Sequence, residues 1–192
     1  MGEVAAKDTA RSAKARCVSA RMAGLTPPRP LAADDDRDAF DCGRESLNNW
    51  LRRHAWRNQQ DGVSRTSIIC DSASGLIAAY VTLSAGQIER AYLPKSSQRN
   101  RPDPVPMILL GQLAVGHQYQ GRGCGRSLLL FALRTAVRFS IEIGCFGILT
   151  HPLDDAVRDF YRSFDFEELP FDPKRSMIVR IADLRESGFG NE

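Results

Sequence analysis

The stretch Gln118-Tyr119-Gln120-Gly121-Arg122-Gly123-Cys124-Gly125-Arg126-Ser127-Leu128-Leu129 decides how this chain is read. Before it lies a nearly continuous apolar run, residues 107–115, which predicts a central strand buried on both faces. After it, Leu129, Ala132, Leu133 and Ala136 mark one face of a long helix. At such a junction the first helical N–H groups have no partner within the helix, and the helix dipole favours an anion. Glycines let a ligand approach the backbone with no Cβ in the way. The local physics therefore points to a phosphate or pyrophosphate. A Walker loop needs Gly-Lys-Ser/Thr, but Arg126 follows Gly125. A dinucleotide fingerprint needs glycine at 126 or 128, where Arg126 and Leu128 stand. What fits is Q-x-x-G-x-G, carried by Gln120, Gly123 and Gly125.

Upstream, residues 25–30 hold three prolines, a linker or the entry to an edge strand. Asp41 is placed to N-cap a first helix in which Leu47, Trp50, Leu51 and His54 follow the i, i+3, i+4, i+7 rule, and Asp61-Gly62 ends it. Residues 64–70 and 76–83 read as a hairpin. Residues 94–106 form a basic, proline-rich loop. Downstream, residues 145–150 predict a short strand. Val157, Phe160, Tyr161 and Phe164 predict a shorter helix, and residues 176–181 a last strand before a polar tail. Strands and helices alternate in the second half, so the expected class is α/β, a mixed central sheet with helices on both faces.

The 192 residues, 43% hydrophobic and 26% charged, suit one globular domain. No apolar run approaches the ~18 residues that span a bilayer. Cys17, Cys42, Cys70, Cys124 and Cys145 are scattered with no C-x-x-C pair, and His54, His117 and His151 have no ligand spacing, so no metal is expected. Scattered cysteines fit a reducing compartment. Residues 1–24 read as a disordered tail or a mis-assigned start with Met22 as the true one, residues 25–186 as the domain, and 187–192 as a tail. The net charge of +3 is supplied wholly by residues 1–24, which hold five basic and two acidic side chains. The neutral remainder is polarised: residues 116–140 carry four arginines and no acid, residues 153–172 seven acids and two arginines.

The glycine loop resembles the pyrophosphate loop of the GNAT superfamily of acyl-CoA-dependent N-acyltransferases. Further strings narrow the likeness. Phe40-Asp41-Cys42-Gly43, with Leu47-Asn48 and Trp50-Leu51, is similar to the start of GNAT toxins from bacterial toxin–antitoxin modules. So are the run from Asn58 to Thr66, Pro102-Asp103-Pro104-Val105-Pro106, Leu113-Ala114-Val115, and His151-Pro152-Leu153-Asp154 with Phe160-Tyr161. The resemblance covers roughly residues 28–184.

That resemblance implies a GNAT fold with a splayed strand pair, and a cytoplasmic enzyme that uses acetyl-CoA as co-substrate. The implied reaction acetylates the α-amine of aminoacyl-tRNA and blocks translation. Alternatives are an N-acetyltransferase for a small amine or a protein N-terminus, or a non-catalytic CoA-binding module. The implied partners are the tRNA substrate, a ribbon-helix-helix antitoxin and a second copy in a homodimer. Leu113, Ala114 and Val115 would hold the pantetheine arm through the main chain. Gln120 and the amides of Gly121, Arg122, Gly123, Cys124, Gly125, Arg126 and Ser127 would hold the pyrophosphate, with charge from Arg122 and Arg126. Asp154 and Phe160 would flank the CoA arm, and Asp154 stands where many GNAT enzymes have asparagine. Tyr161 is the expected general acid, since a phenol with a reference pKa of ~10 is protonated at neutral pH. Asp165 replaces the glycine the family usually has before Phe166, and aspartate tolerates the left-handed conformation that turn needs. No general base is evident: the substrate amine has a reference pKa of ~7.7–8.0, and His151 and Glu89 read first as structural residues. For tRNA the cationic candidates are Arg52, Arg53 and Arg57 beside the first helix, and Lys95, Arg99 and Arg101 in the proline-rich loop.

Overall fold

The computed structural model describes residues 22–169 and 171–189; most of the 1–24 segment, with Cys17, lies outside them. The chain runs β1 (Arg29–Pro30), α1 (Glu45–Trp50), a π turn (Leu51–Ala55), α2 (Trp56–Gln60), β2 (Arg65–Cys70) and β3 (Ile77–Ile88). It continues through α3 (Lys95–Gln98), β4 (Val105–Val115), α4 (Cys124–Glu142), β5 (Gly147–Thr150), α5 (Asp155–Arg162), β6 (Glu167–Glu168), β7 (Met177–Arg180) and α6 (Ile181–Glu186). The seven strands form one sheet in the order β1-β2-β3-β4-β5-β7-β6. Only β4 and β5 run parallel, joined by α4 as the crossover; every other pair is antiparallel. The expected mixed α/β sheet is therefore present.

Alternation along the strands builds three buried clusters, the third around Met107, Leu149 and Ile178. On one face Ile69, Ala79, Val81, Ile108 and Ile148 pack against α4, α5 and α6. The α4 stripe of Leu128, Leu129, Ala132, Leu133, Ala136 and Val137 is buried there, as its spacing predicted. On the other face Ile68, Tyr80 and Ala114 meet Leu51 and Ala55. Tyr80 fastens the first helix: its hydroxyl donates to the Leu47 carbonyl at 2.8 Å while Trp50 stacks on its ring. Cys42, Cys70 and Cys124 are buried free thiols, and Cys145 is half-buried and free.

Three expectations need correction. His54 is exposed and Ala55 takes the core position, because the π turn fits more residues into a turn than 3.6 periodicity allows. Asp41 does not cap α1: its carboxylate accepts from Gly43 N at 2.8 Å and Asn48 Nδ2 at 2.9 Å, bracing the preceding turn, while Arg44 holds the cap position. The segment after β7 is the helix α6, whose Ile181 and Leu184 are buried one turn apart. Met22 and Phe189 also pack against the larger core.

Candidate active site

The site begins with one extra residue. β4 pairs with β3 as Thr82–Gln112 and then Leu83–Leu110, so Gly111 is a bulge. On its other side β4 pairs with β5 only as far as Leu110–Thr150. A bulge bends and twists its strand. Beyond it β4 stays with β3 to Val115, and β5 gives way to the His151-Pro152 turn. The edge of residues 111–115 that faced β5 is left with unpaired backbone groups. It is therefore half-open, where the sequence predicted burial on both faces.

A cavity of about 490 Å³ fills the gap, a size typical of small-molecule sites. Leu113, Ala114 and Val115 line it from β4, Gln120 from the glycine loop and Tyr161 from α5. Five residues expected from sequence to serve one site thus share a cavity. Gln120 Nε2 reaches back to the Val115 carbonyl at 3.3 Å, tying loop to strand. Gly121 (φ +73°) and Gly123 (φ +90°) take left-handed conformations that turn the chain into α4, and a Cβ at either would meet only open space. Gly123 is the N-cap, and no side chain caps the helix. Its first-turn amides are thus left to an outside acceptor.

The other expected residues, Gly121 to Ser127, Asp154 and Phe160, do not line the cavity itself. The Cys124 side chain is buried, so only its amide can serve. Gly125 lies between Val115 and Phe160: a Cβ there would stand 3.4 Å from Val115 Cγ2 and 3.9 Å from Phe160 Cζ. Arg126 stacks over Phe164 with 5.0 Å to the ring centroid. Arg122 lies over Tyr119 and donates to the Ala23 carbonyl at 2.8 Å. Ser127 is half-buried in the first turn, its amide bonded to Gly123 O at 2.9 Å. Asp154 caps α5 by accepting from Val157 N at 2.9 Å and pairs with Arg44. Those amide and guanidinium donors hold its carboxyl below the usual range.

Tyr161 is buried against Phe160 and Phe166, with the Thr150 hydroxyl as its polar neighbour. Burial pushes its phenol up to about 12, so it stays protonated and able to donate. The turn that follows survives the aspartate: Asp165 sits at φ +63°, and Phe166 N bonds back to the Tyr161 carbonyl at 3.3 Å. Among the residues not expected at the site that line the cavity are Arg44 and Thr150. The signal for Arg44 was Asp154 itself, a charge in place of a neutral amide that calls for an opposite charge opposite it. Thr150 had no signal, because its place at the last β4–β5 pair exists only in the folded sheet.

The tRNA candidates are not drawn together with the cavity. Arg53, Lys95 and Arg99 are exposed, and exposed Arg57 pairs with Asp61 at 3.6 Å. Arg101 lies over the Phe146 ring at 4.5 Å. Arg52 is committed to the Phe40 carbonyl at 3.3 Å and to Glu45 at 3.5 Å. Among the described residues no metal-binding cluster occurs and no helix is long and apolar enough to cross a membrane.

No family model matches the chain. Over 158 residues it is 40% identical to a tRNA-acetylating toxin of Mycobacterium tuberculosis (strain ATCC 25618 / H37Rv), covering 82% of this chain and 94% of that protein. The chain belongs to the GNAT acetyltransferase toxins of toxin–antitoxin modules. Among solved structures of these toxins, AtaT complexed with acetyl-methionyl-tRNAfMet superposes with a TM-score of 0.78 at 30% identity, over 85% of this chain and 98% of that one. A tyrosine-to-phenylalanine mutant of AtaT, bound to acetyl-CoA and to the C-terminus of the antitoxin AtaR, gives 0.72 at 26% identity over the same shares.

Proposed function

We propose that this protein transfers the acetyl group of acetyl-CoA to the α-amine of aminoacyl-tRNA and so blocks translation. The observation that carries the proposal is the cavity at the β4–β5 split, where an unpaired strand edge meets a buried phenol and Gln120 enters from the glycine loop that leads into the uncapped α4. The 40% identity to a tRNA-acetylating toxin supports the same reading, as do the AtaT complexes with an acetylated tRNA and with acetyl-CoA.

The backbone of Leu113, Ala114 and Val115 binds the pantetheine arm as an added strand would be bound. Gln120 holds the loop in place, and the amides from Gly121 to Arg126 take the pyrophosphate, with the Ser127 hydroxyl beside them because its amide is spent on Gly123 O. Arg122 and Arg126 add positive charge over it. Phe160 packs beside Gly125, and Asp154 fixes the start of α5, which aims Tyr161. The amine attacks the thioester carbonyl, the C–S bond breaks, and Tyr161 donates its proton to the leaving thiolate. Arg53, Arg57, Lys95, Arg99 and Arg101 meet tRNA phosphates, with Arg52 a supporting member held by Phe40. The working form is a cytoplasmic homodimer held inactive by an antitoxin of the ribbon-helix-helix class. Residues 25–186 make the catalytic domain, and Met22 and Phe189 on either side pack against its core.

The test is mass spectrometry of total charged tRNA after incubation with acetyl-CoA and the purified protein. Acetylated aminoacyl-tRNA is the expected product. Acetylation of free amines with charged tRNA untouched would sink the assignment.

A further inference from the structure

His151 lines the cavity that holds Tyr161, and its ring is not free to turn. Its Nδ1 lies 2.7 Å from Ser176 Oγ. Ser176 is wholly buried, and its hydroxyl donates to the Asp172 carboxylate, itself only 6% exposed. Asp172 also accepts from Ser176 N at 3.1 Å and Lys174 N at 3.0 Å. These donors hold its carboxyl below the usual range against the opposing effect of burial, so it is ionised and can only accept.

Counting protons along the chain fixes the tautomer. The serine hydroxyl has one proton and gives it to Asp172. Its oxygen can then only accept, so His151 Nδ1 carries a hydrogen. The other ring nitrogen, Nε2, has no hydrogen-bond partner among the described residues, and the residue is exposed at the cavity. A buried carboxylate, a hydroxyl and an imidazole in line are more than surface packing of a lone histidine requires.

We propose that His151, oriented by Ser176 and Asp172, is the general base that takes a proton from the substrate's α-ammonium through Nε2. The inference rests on the acetyl-transfer reading above. Nε2 accepts one proton, and the freed nitrogen lone pair forms the C–N bond to the thioester carbonyl. Collapse breaks the C–S bond, and Tyr161 protonates the thiolate. A second nitrogen proton, acidified as the amide forms, restores the phenol, and His151 releases its own to solvent. Two groups on separate elements therefore divide the work: α5 supplies the acid, and the turn after β5 the base. The charged groups about the ring are Asp172 and Lys174 before β7, and Arg44 paired with Asp154 across the cavity. Partial burial and Lys174 lower the imidazole pKa and Asp172 partly opposes them, which keeps the ring neutral at neutral pH with its Nε2 lone pair available.

The experiment compares wild type, His151→Ala and Ser176→Ala by kcat/KM for charged tRNA between pH 5.5 and pH 9, with acetyl-CoA affinity and melting temperature measured alongside. His151→Ala should lose about 10²-fold at pH 6.5. The loss should shrink by pH 9, where the amine, with a reference pKa of ~7.7–8.0, is already free. Added imidazole should restore part of it, while acetyl-CoA affinity stays unchanged. Ser176→Ala, if folded, should show a smaller loss of the same pH shape. An active wild type whose His151→Ala variant keeps its rate within about threefold at every pH overturns the inference. So does a loss that is uniform with pH and deaf to imidazole. A wild type that acetylates no charged tRNA defeats the underlying reading, and the inference falls with it.

Discussion

Replacing Tyr161 by phenylalanine separates chemistry from packing. The ring is 3% exposed and held by Phe160 and Phe166 at centroid distances of 5.4 and 5.1 Å, contacts that phenylalanine keeps. The neighbouring Thr150 hydroxyl is not orphaned, because it donates to the Leu110 carbonyl at 3.1 Å. Stability should therefore change by less than about 1 kcal/mol. The chemical cost is different. General acid catalysis contributes roughly 10²–10⁴-fold. The phenol is held near 12, whereas a thiol has a reference pKa of ~8.5, so full proton transfer to a free thiolate runs uphill. The hydroxyl therefore stabilises sulfur in the transition state as a strong donor, and its proton passes to the thiolate only as the second nitrogen proton replaces it. The lower half of the range applies, about 10²–10³-fold or ~2.7–4 kcal/mol of barrier. The assay is single-turnover acetylation of charged tRNA, with calorimetric titration of acetyl-CoA and a thermal melt on the same preparation. A turnover within about threefold of wild type, with acetyl-CoA still bound, would refute the acid role and leave Tyr161 as a core residue.

Gly147→Ala should cost about 2 kcal/mol, since the new Cβ would lie 2.5 Å from the Val179 carbonyl oxygen, and backbone cannot step aside; an unchanged melting temperature contradicts this. Asp154→Ala should lower both the melting temperature and activity by uncapping α5, while Asp154→Asn, which keeps the cap acceptor, should retain both; equal effects of the two would show that the cap is irrelevant. Asp172→Asn should destabilise the protein at pH 7. The folded-state pKa of Asp172 is depressed, so its stabilisation is complete above the unfolded value of ~3.9 and lost as pH falls below it. The gap between wild type and Asp172→Asn in denaturant melts should therefore close under acid; a gap constant down to pH 3 would contradict the linkage.

Features set by local periodicity were legible in the sequence, and features set by contact between distant segments were not. The α4 stripe and the glycine turn needed only spacing and helix-terminus physics, and both lie where they were expected. Tyr161 shares one cavity with Leu113–Val115 and Gln120, as the family strings implied. The fold could take aspartate at 165 because its left-handed φ is one that aspartate reaches at modest cost. The π turn escaped notice because Ala55 and His54 differ by one residue, within the drift between a π turn and an α turn. Arg44 and Asp154 stand 110 residues apart, and His151 and Ser176 stand 25 apart. No window of sequence contains either pair. The structural reading of His151 followed from its surroundings in the chain, whereas its partners arrive from the loop before β7.

The bulge at Gly111 links fold to reaction. A parallel pair such as β4–β5 requires a crossover, and here α4 supplies it. The crossover starts at the carboxyl end of β4, so the N-terminus of α4 stands beside the end of that strand. Ligands of α/β sheets gather at such ends. Had β4 and β5 stayed paired to Val115, the main-chain groups of Leu113 and Val115 would be consumed by the sheet and no arm could be laid along them. The one-residue insertion opposite Thr82 and Leu83 bends β4 just past its last pair with β5, which frees that edge without breaking its pairing to β3. The same turn carries Arg122 and Arg126 to the loop in a segment without a single acid, while the acids gather in residues 153–172. A chain whose charge nearly cancels thus keeps four arginines and no acid in residues 116–140, a local polarity that its net charge conceals.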